Sequence, residues 1–64
     1  MHEGNIIKNL RIKRGITQAE LAKKAKVTQQ HISGIELGNI MPSIKTYNKI
    51  LSVLGFELYL RNTS

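Results

Sequence analysis

The 64-residue sequence contains no cysteine. That excludes both a disulfide framework and a cysteine-based zinc site. It suits a reducing compartment, and a cytoplasmic protein is expected. Long apolar runs are also lacking. The longest falls far short of the roughly 20 residues that a bilayer requires, and the apolar residues near Met1 are interrupted by Lys8, Arg11, Lys13 and Arg14. Neither a membrane span nor a signal peptide is therefore expected. Acidic residues are scarce as well: four stand against ten Lys and Arg, for a net charge of +6. Glu3, Glu20, Glu36 and Glu57 form no obvious acid–base pair. There is no phosphate-binding glycine loop and no nucleophile beside a base, so the chain is not expected to be an enzyme. His2 and His31 have no companion Cys, His or carboxylate at ligand spacing, so neither a metal nor a cofactor is expected. Repeats and low-complexity tracts are absent.

What remains is one small basic domain spanning 1–64. A chain of this size buries only about 60% of its unfolded surface, so its core is thin. The positive charge attracts polyanions, although on charge alone nucleic-acid binding and plain solubility stand about level.

The hydrophobic pattern predicts four helices. Over 5–14, Ile7, Leu10, Arg11 and Arg14 share one face at helical spacing, and Gly15 is a natural stop. Thr17-Gln18-Ala19-Glu20 reads as a capping box, with Ile16 and Leu21 placed as a hydrophobic staple, so a second helix is expected over 18–24. About three residues later Thr28 can cap a third helix over 29–37, stapled by Val27 and Ile32. Ile32 and Ile35 point one way from it, while Gln29, Gln30 and Ser33 point another. Gly38-Asn39 closes it. Pro42 pushes Met41 away from helical geometry. In this loop Ile40 and Met41 read as small core plugs. Ser43 caps a fourth helix over 44–54, with Ile44, Tyr47, Leu51 and Leu54 on its core side and Gly55 at its end. Over 56–61 the period changes to an alternation of Phe56, Leu58 and Leu60, a strand signal. One strand cannot satisfy its own ladder. A second copy of the chain is the simplest partner, and docking on the chain's own core is the alternative.

Two short helices joined by a tight turn, the second exposing polar residues at its start, describe a helix-turn-helix. In that arrangement the first helix crosses the DNA backbone and the second enters the major groove N-terminus first. Gln suits that position because its amide donates to and accepts from adenine N6 and N7 together.

The segments Gly15-Ile16-Thr17-Gln18-Ala19-Glu20-Leu21-Ala22, Val27-Thr28-Gln29-Gln30-His31-Ile32-Ser33 and Ile35-Glu36-Leu37-Gly38 closely resemble the Cro and phage-repressor family, also called the XRE family. The likeness runs from Ile7 to Gly55. It implies an all-α fold of four helices and a regulator of transcription that binds double-stranded DNA. Gln18 would hold a phosphate oxygen at the positive end of its helix. Thr28, Gln29, Gln30 and Ser33 would face base edges or adjacent phosphates. His31 lies on the same helix and could contact DNA, and Lys13, Asn39 and Lys45 are rim candidates for phosphates. Arg11 and Glu36 match a structural ion pair between the first and third helices. Lys26 occupies a turn position where the family often has Gly, and it can adopt a left-handed conformation or reach a phosphate. Gly34 stands where many relatives carry a longer polar residue. Lys23, Lys24 and Lys26 are either a solvated face or a phosphate track.

Many relatives continue with a fifth helix that makes the dimer. Here Phe56–Arg61 takes its place and resembles the HipB-like antitoxins, whose homodimer is closed by a small intermolecular sheet. Phe56, Leu58, Tyr59 and Leu60 would then form the dimer interface, and a two-fold symmetric dimer would recognise an inverted-repeat operator. The implied function is a dimeric autorepressor and antitoxin of a toxin–antitoxin module, with a HipA-like kinase as toxin partner. The alternative is a phage- or plasmid-type repressor, or a restriction-modification controller, without a toxin.

Overall fold

The computed structural model describes residues 3–55, the side chain of Glu3 excepted. Four helices follow in order: α1 Glu3–Arg14, α2 Gln18–Ala25, α3 Gln29–Leu37 and α4 Ile44–Val53. The expected helices are all present, with α1 beginning two residues early and α4 ending one residue short. The strand expected over 56–61, and with it the interface at Phe56, Leu58, Tyr59 and Leu60, lies outside the described residues.

Each start of α2, α3 and α4 is set by a hydroxyl. Thr17 Oγ1 accepts from the Glu20 amide at 3.0 Å, Thr28 Oγ1 from the His31 amide at 3.0 Å and Ser43 Oγ from the Thr46 amide at 3.1 Å. At α2 the capping box is complete, because the Thr17 amide donates to Glu20 Oε1 at 2.8 Å. Caps of this kind contribute about 1 kcal/mol each.

The ends of α1, α2 and α3 share one design. A left-handed residue closes two backbone bonds, one reaching five residues back and one three. Gly15 with Ile16 closes α1 on Ile12 and Arg11, Lys26 with Val27 closes α2 on Lys23 and Ala22, and Gly38 with Asn39 closes α3 on Ile35 and Gly34. Lys26, at φ 61°, is the non-glycine member of this set. A side chain in that conformation costs about 1–2 kcal/mol.

Eight- to ten-residue helices are too short to stand alone in water, so the fold depends on the core between them. Ile7 of α1, Leu21, Ala22 and Ala25 of α2, Ile32 and Ile35 of α3, and Ile50 and Leu54 at α4 form it, with Leu10, Ile16, Val27, Ile40, Tyr47 and Val53 packed around. Both staples close here: Ile16 and Leu21 at α2, Val27 and Ile32 at α3. α3 packs against α1 and α2, and α4 packs against α2. Complete burial of a side chain such as Ile32 stabilises by roughly 1.5–3 kcal/mol.

Two expectations for the core fail. Ile44 is 76% exposed and Met41 78% exposed. Ile44 is in phase with Tyr47 and Leu51, but it lies in the first turn of α4, which stands clear of the core. Met41 points outward from the α3–α4 loop, and its neighbour Ile40 plugs the core alone. On α4 the fully buried position is instead Ile50.

Candidate nucleic-acid interface

The tight turn between α2 and α3 holds only Lys26, Val27 and Thr28. The bonds at Lys26 and Val27 end α2, and the Thr28 hydroxyl starts α3 one residue later. The chain therefore changes direction with its local backbone groups satisfied, and the opening residues of α3 are left clear.

Those residues fall on two sides. Ile32, Ile35 and Glu36 turn inward and are buried. Gln29 and Gln30 are exposed, and His31 and Ser33 are half-buried. Neither glutamine amide has a recorded partner among the described residues. The Thr28 oxygen is occupied as a cap, which leaves its O–H free to donate. Thr28, Gln29, Gln30, His31 and Ser33 are thus gathered on a single short helix. Lys13, Asn39 and Lys45 lie on three other segments, the last turn of α1, the α3–α4 loop and the first turn of α4, and all three are exposed.

Behind α3 a polar network ties three helices together. Arg11 Nε donates to Glu36 Oε2 at 2.8 Å and Arg11 Nη2 to Glu36 Oε1 at 3.2 Å. The expected ion pair is therefore present, in the bidentate form that gives such pairs both strength and direction. Arg11 Nη1 also donates to the carbonyl of Ile16 at 2.9 Å. Side-chain exposure is 13% for Arg11 and 3% for Glu36. Gln18 Nε2 donates to Glu36 Oε1 at 2.9 Å. Sequence reasoning placed Gln18 at the start of α2 as a phosphate ligand and missed this inward bond. Its 18-residue separation from Glu36 is invisible to any local pattern. The bond uses one amide hydrogen and leaves the second, together with Oε1.

Gly34 shows a second arrangement that the sequence conceals. A Cβ built there would lie 2.8 Å from Ile40 Cγ1 and closer still to Cδ1. The amides of Asn39 and Ile40 both donate to the Gly34 carbonyl, at 2.8 and 3.1 Å. Ile40 thus occupies the space that a side chain at position 34 would fill. Gln30, Gly34 and Leu37 lie on one stripe of α3 at helical spacing, and Leu37 is 69% exposed. The outer surface of α3 is accordingly polar at its start and apolar at its end.

The two carboxylates whose side chains are described are already engaged, Glu36 with Arg11 and Gln18, Glu20 with Thr17. The Thr17 backbone amide, then the Thr17 hydroxyl, with Lys24 contributing, hold the Glu20 carboxyl below its ordinary value against a small desolvation effect. Among the described residues no group of His, Cys, Asp and Glu could hold a metal ion, and no helix is long and apolar enough to cross a membrane.

A family model described as helix-turn-helix matches residues 7–60. The chain is 33% identical over 58 residues to the Immunity repressor protein of Bacillus phage phi105, a match covering 91% of this chain and 40% of that protein. It is 33% identical over 55 residues to the ImmF control region 10 kDa protein of the same phage, covering 86% and 61% respectively. It is also 37% identical over 51 residues to an uncharacterised HTH-type transcriptional regulator of Bacillus subtilis, covering 80% of this chain and 67% of that protein. The chain therefore spans less than two thirds of the length of the two phage relatives. No solved structure matches it.

Proposed function

This chain belongs to the XRE-type helix-turn-helix family, and from that premise we propose that it is a sequence-specific regulator of transcription that binds double-stranded DNA through α3. The observation that carries the proposal is the outer start of α3, where Gln29 and Gln30 are exposed with their amides unengaged on a helix whose other side is anchored in the core. A glutamine so placed makes two hydrogen bonds to one adenine edge. Ser33 and the Thr28 hydroxyl extend the same surface, with His31 beside it. Gln18, held by Glu36, offers its remaining amide hydrogen to a phosphate at the positive end of α2. Lys13, Asn39 and Lys45 supply the rim.

A single α3 covers only a few base pairs. We propose that the chain acts as a homodimer on an inverted repeat whose half-sites are about 34 Å apart, one turn of the double helix. In this reading the segment containing Phe56, Leu58, Tyr59 and Leu60 joins the two copies. Bound at a promoter, its own included, the dimer excludes transcription.

Two biological settings fit this activity. The names of the two phage relatives favour a phage-type repressor, with a restriction-modification controller as a variant of the same role. The alternating apolar tail favours a HipB-like antitoxin that also restrains a toxin, a HipA-like kinase. A kinase-like reading frame adjoining this one would select the second setting, and a phage neighbourhood the first.

Titration of the purified chain against the DNA upstream of its own gene, with scrambled DNA as control, tests the central proposal. Binding at least about a thousandfold tighter to the native segment, with two protomers per site, is expected of a specific dimeric regulator. Equal and steeply salt-dependent binding to both would reveal only the attraction of a +6 chain to a polyanion.

A further inference from the structure

The residues that close α1, α2 and α3 are Gly15, Lys26 and Gly38. For the two glycines the left-handed conformation carries no steric penalty. Lys26 adopts it against the clash between Cβ and the following carbonyl oxygen. Its side chain does nothing for the turn. The bonds from the Lys26 amide to the Lys23 carbonyl and from the Val27 amide to the Ala22 carbonyl are made by backbone alone. The side chain is exposed, and no hydrogen bond or ion pair is recorded for its ammonium among the described residues.

The electrostatic setting is also adverse. Lys23 stands three residues before Lys26 and Lys24 two. The positive end of α3 begins three residues after it, where a cation is unfavourable. Conformation, like charge and helix dipole all disfavour lysine at this point of the free chain. The two electrostatic terms reverse sign when an anion sits beside the turn. Retained backbone strain of this kind gathers where a ligand is held.

Resting on the DNA-binding reading above, we infer that Lys26 is a phosphate contact. Its ammonium holds a backbone phosphate of the duplex at the α2–α3 turn, two residues from the Thr28 cap and three from Gln29. It fixes the approach of α3 without reading sequence, as phosphate contacts do.

Two variants test this, Lys26→Gly and Lys49→Ala. Lys49 is exposed on α4 and is not assigned to the interface, so its loss removes the same charge elsewhere. The measurements are the thermal midpoint and titration of two duplexes across a salt series. One duplex is selected by the wild-type chain from a random library, and the other is its scrambled counterpart. Lys26→Gly is expected to melt higher than wild type and yet bind both duplexes more weakly. Loss of one phosphate contact lowers the steepness of log K against log salt by about 0.9, which is roughly eightfold in affinity near 0.1 M salt. Lys49→Ala is expected to leave that slope unchanged. A structural role alone cannot produce higher stability with weaker binding. Wild-type binding by Lys26→Gly, equal losses in both variants, or a lowered midpoint for Lys26→Gly would each overturn the assignment while leaving the DNA-binding reading intact. A wild-type chain that bound neither duplex would overturn that reading and the inference together.

Discussion

On the inner side of α3, Ile32, Ile35 and Glu36 are 0%, 1% and 6% exposed, and the one charged group among them receives hydrogen bonds from Arg11 and Gln18. On the outer side, one or two residues away in sequence, Gln29 and Gln30 are exposed and their amides have no recorded partner among the described residues. The same nine-residue helix therefore carries one side whose chemistry the chain completes and one whose chemistry it leaves open. Substitutions on the inner side should register in stability and those on the outer side in binding. A variant that crosses between the two readouts breaks the comparison.

The largest effect is expected from Glu36→Ala. It strands the Arg11 guanidinium in a site where that side chain is 13% exposed and leaves the Gln18 amide without its acceptor. Removing one member of a buried pair costs about 3–5 kcal/mol, enough to unfold much of a domain this small. Urea denaturation measures it. A loss under about 1 kcal/mol would mean that the network behaves as a surface pair.

Gln29→Ala and Gln30→Ala come next. Each should weaken binding to the preferred duplex by about 1–3 kcal/mol and relax base preference, with a urea midpoint equal to that of wild type. Unchanged affinity and unchanged sequence preference in both variants would remove base recognition from the outer side of α3.

A smaller effect is expected at the start of α2. Thr17→Ala removes the acceptor of the Glu20 amide and should cost about 1 kcal/mol, read from the same denaturation curves. The accompanying pH dependence is smaller again. The Glu20 carboxyl is held below its ordinary value of 4.5, first by the Thr17 backbone amide and then by its hydroxyl. A depressed carboxyl stabilises the fold above its unfolded value, and that contribution is lost as pH falls through the folded value. The stability difference between wild type and Glu20→Gln should accordingly be present at pH 7 and shrink on acidification below about 4.5. A difference that stays constant through this range would detach the carboxylate from the cap.

The elements legible in the sequence are those governed by neighbours along the chain. Thr17, Thr28 and Ser43 announce three helix starts because a capping hydroxyl acts on an amide three residues ahead. Gly15 and Gly38 announce two ends because a left-handed residue is needed there. The Arg11–Glu36 pair was legible for a different reason, through resemblance to a known motif. What escaped notice was decided by packing at a distance. Ile44 follows the α4 stripe and yet is exposed, since periodicity gives the side of a helix but not where along it the neighbours stop. The inward bond of Gln18 and the seating of Ile40 against Gly34 depend on where loops bring separate segments together. Of the site, the residues on α3 could be read directly. The rim residues Lys13, Asn39 and Lys45 rest on the resemblance, because nothing within the chain marks an exposed cation as a DNA contact.

The contact between Gly34 and Ile40 bears on how such a surface diversifies. Position 34 lies on the outer stripe one turn beyond Gln30, a natural place from which a longer side chain could extend base reading. Any residue larger than glycine first meets Ile40 Cγ1, 2.8 Å from the Cβ position. A new side chain at 34 thus requires the α3–α4 loop to give way, and shortening Ile40 alone would open a void beside the core it plugs. The two positions are epistatic. Drift in binding preference along this lineage runs more easily through residues 29, 30 and 33, and a change at 34 becomes accessible after the loop has changed.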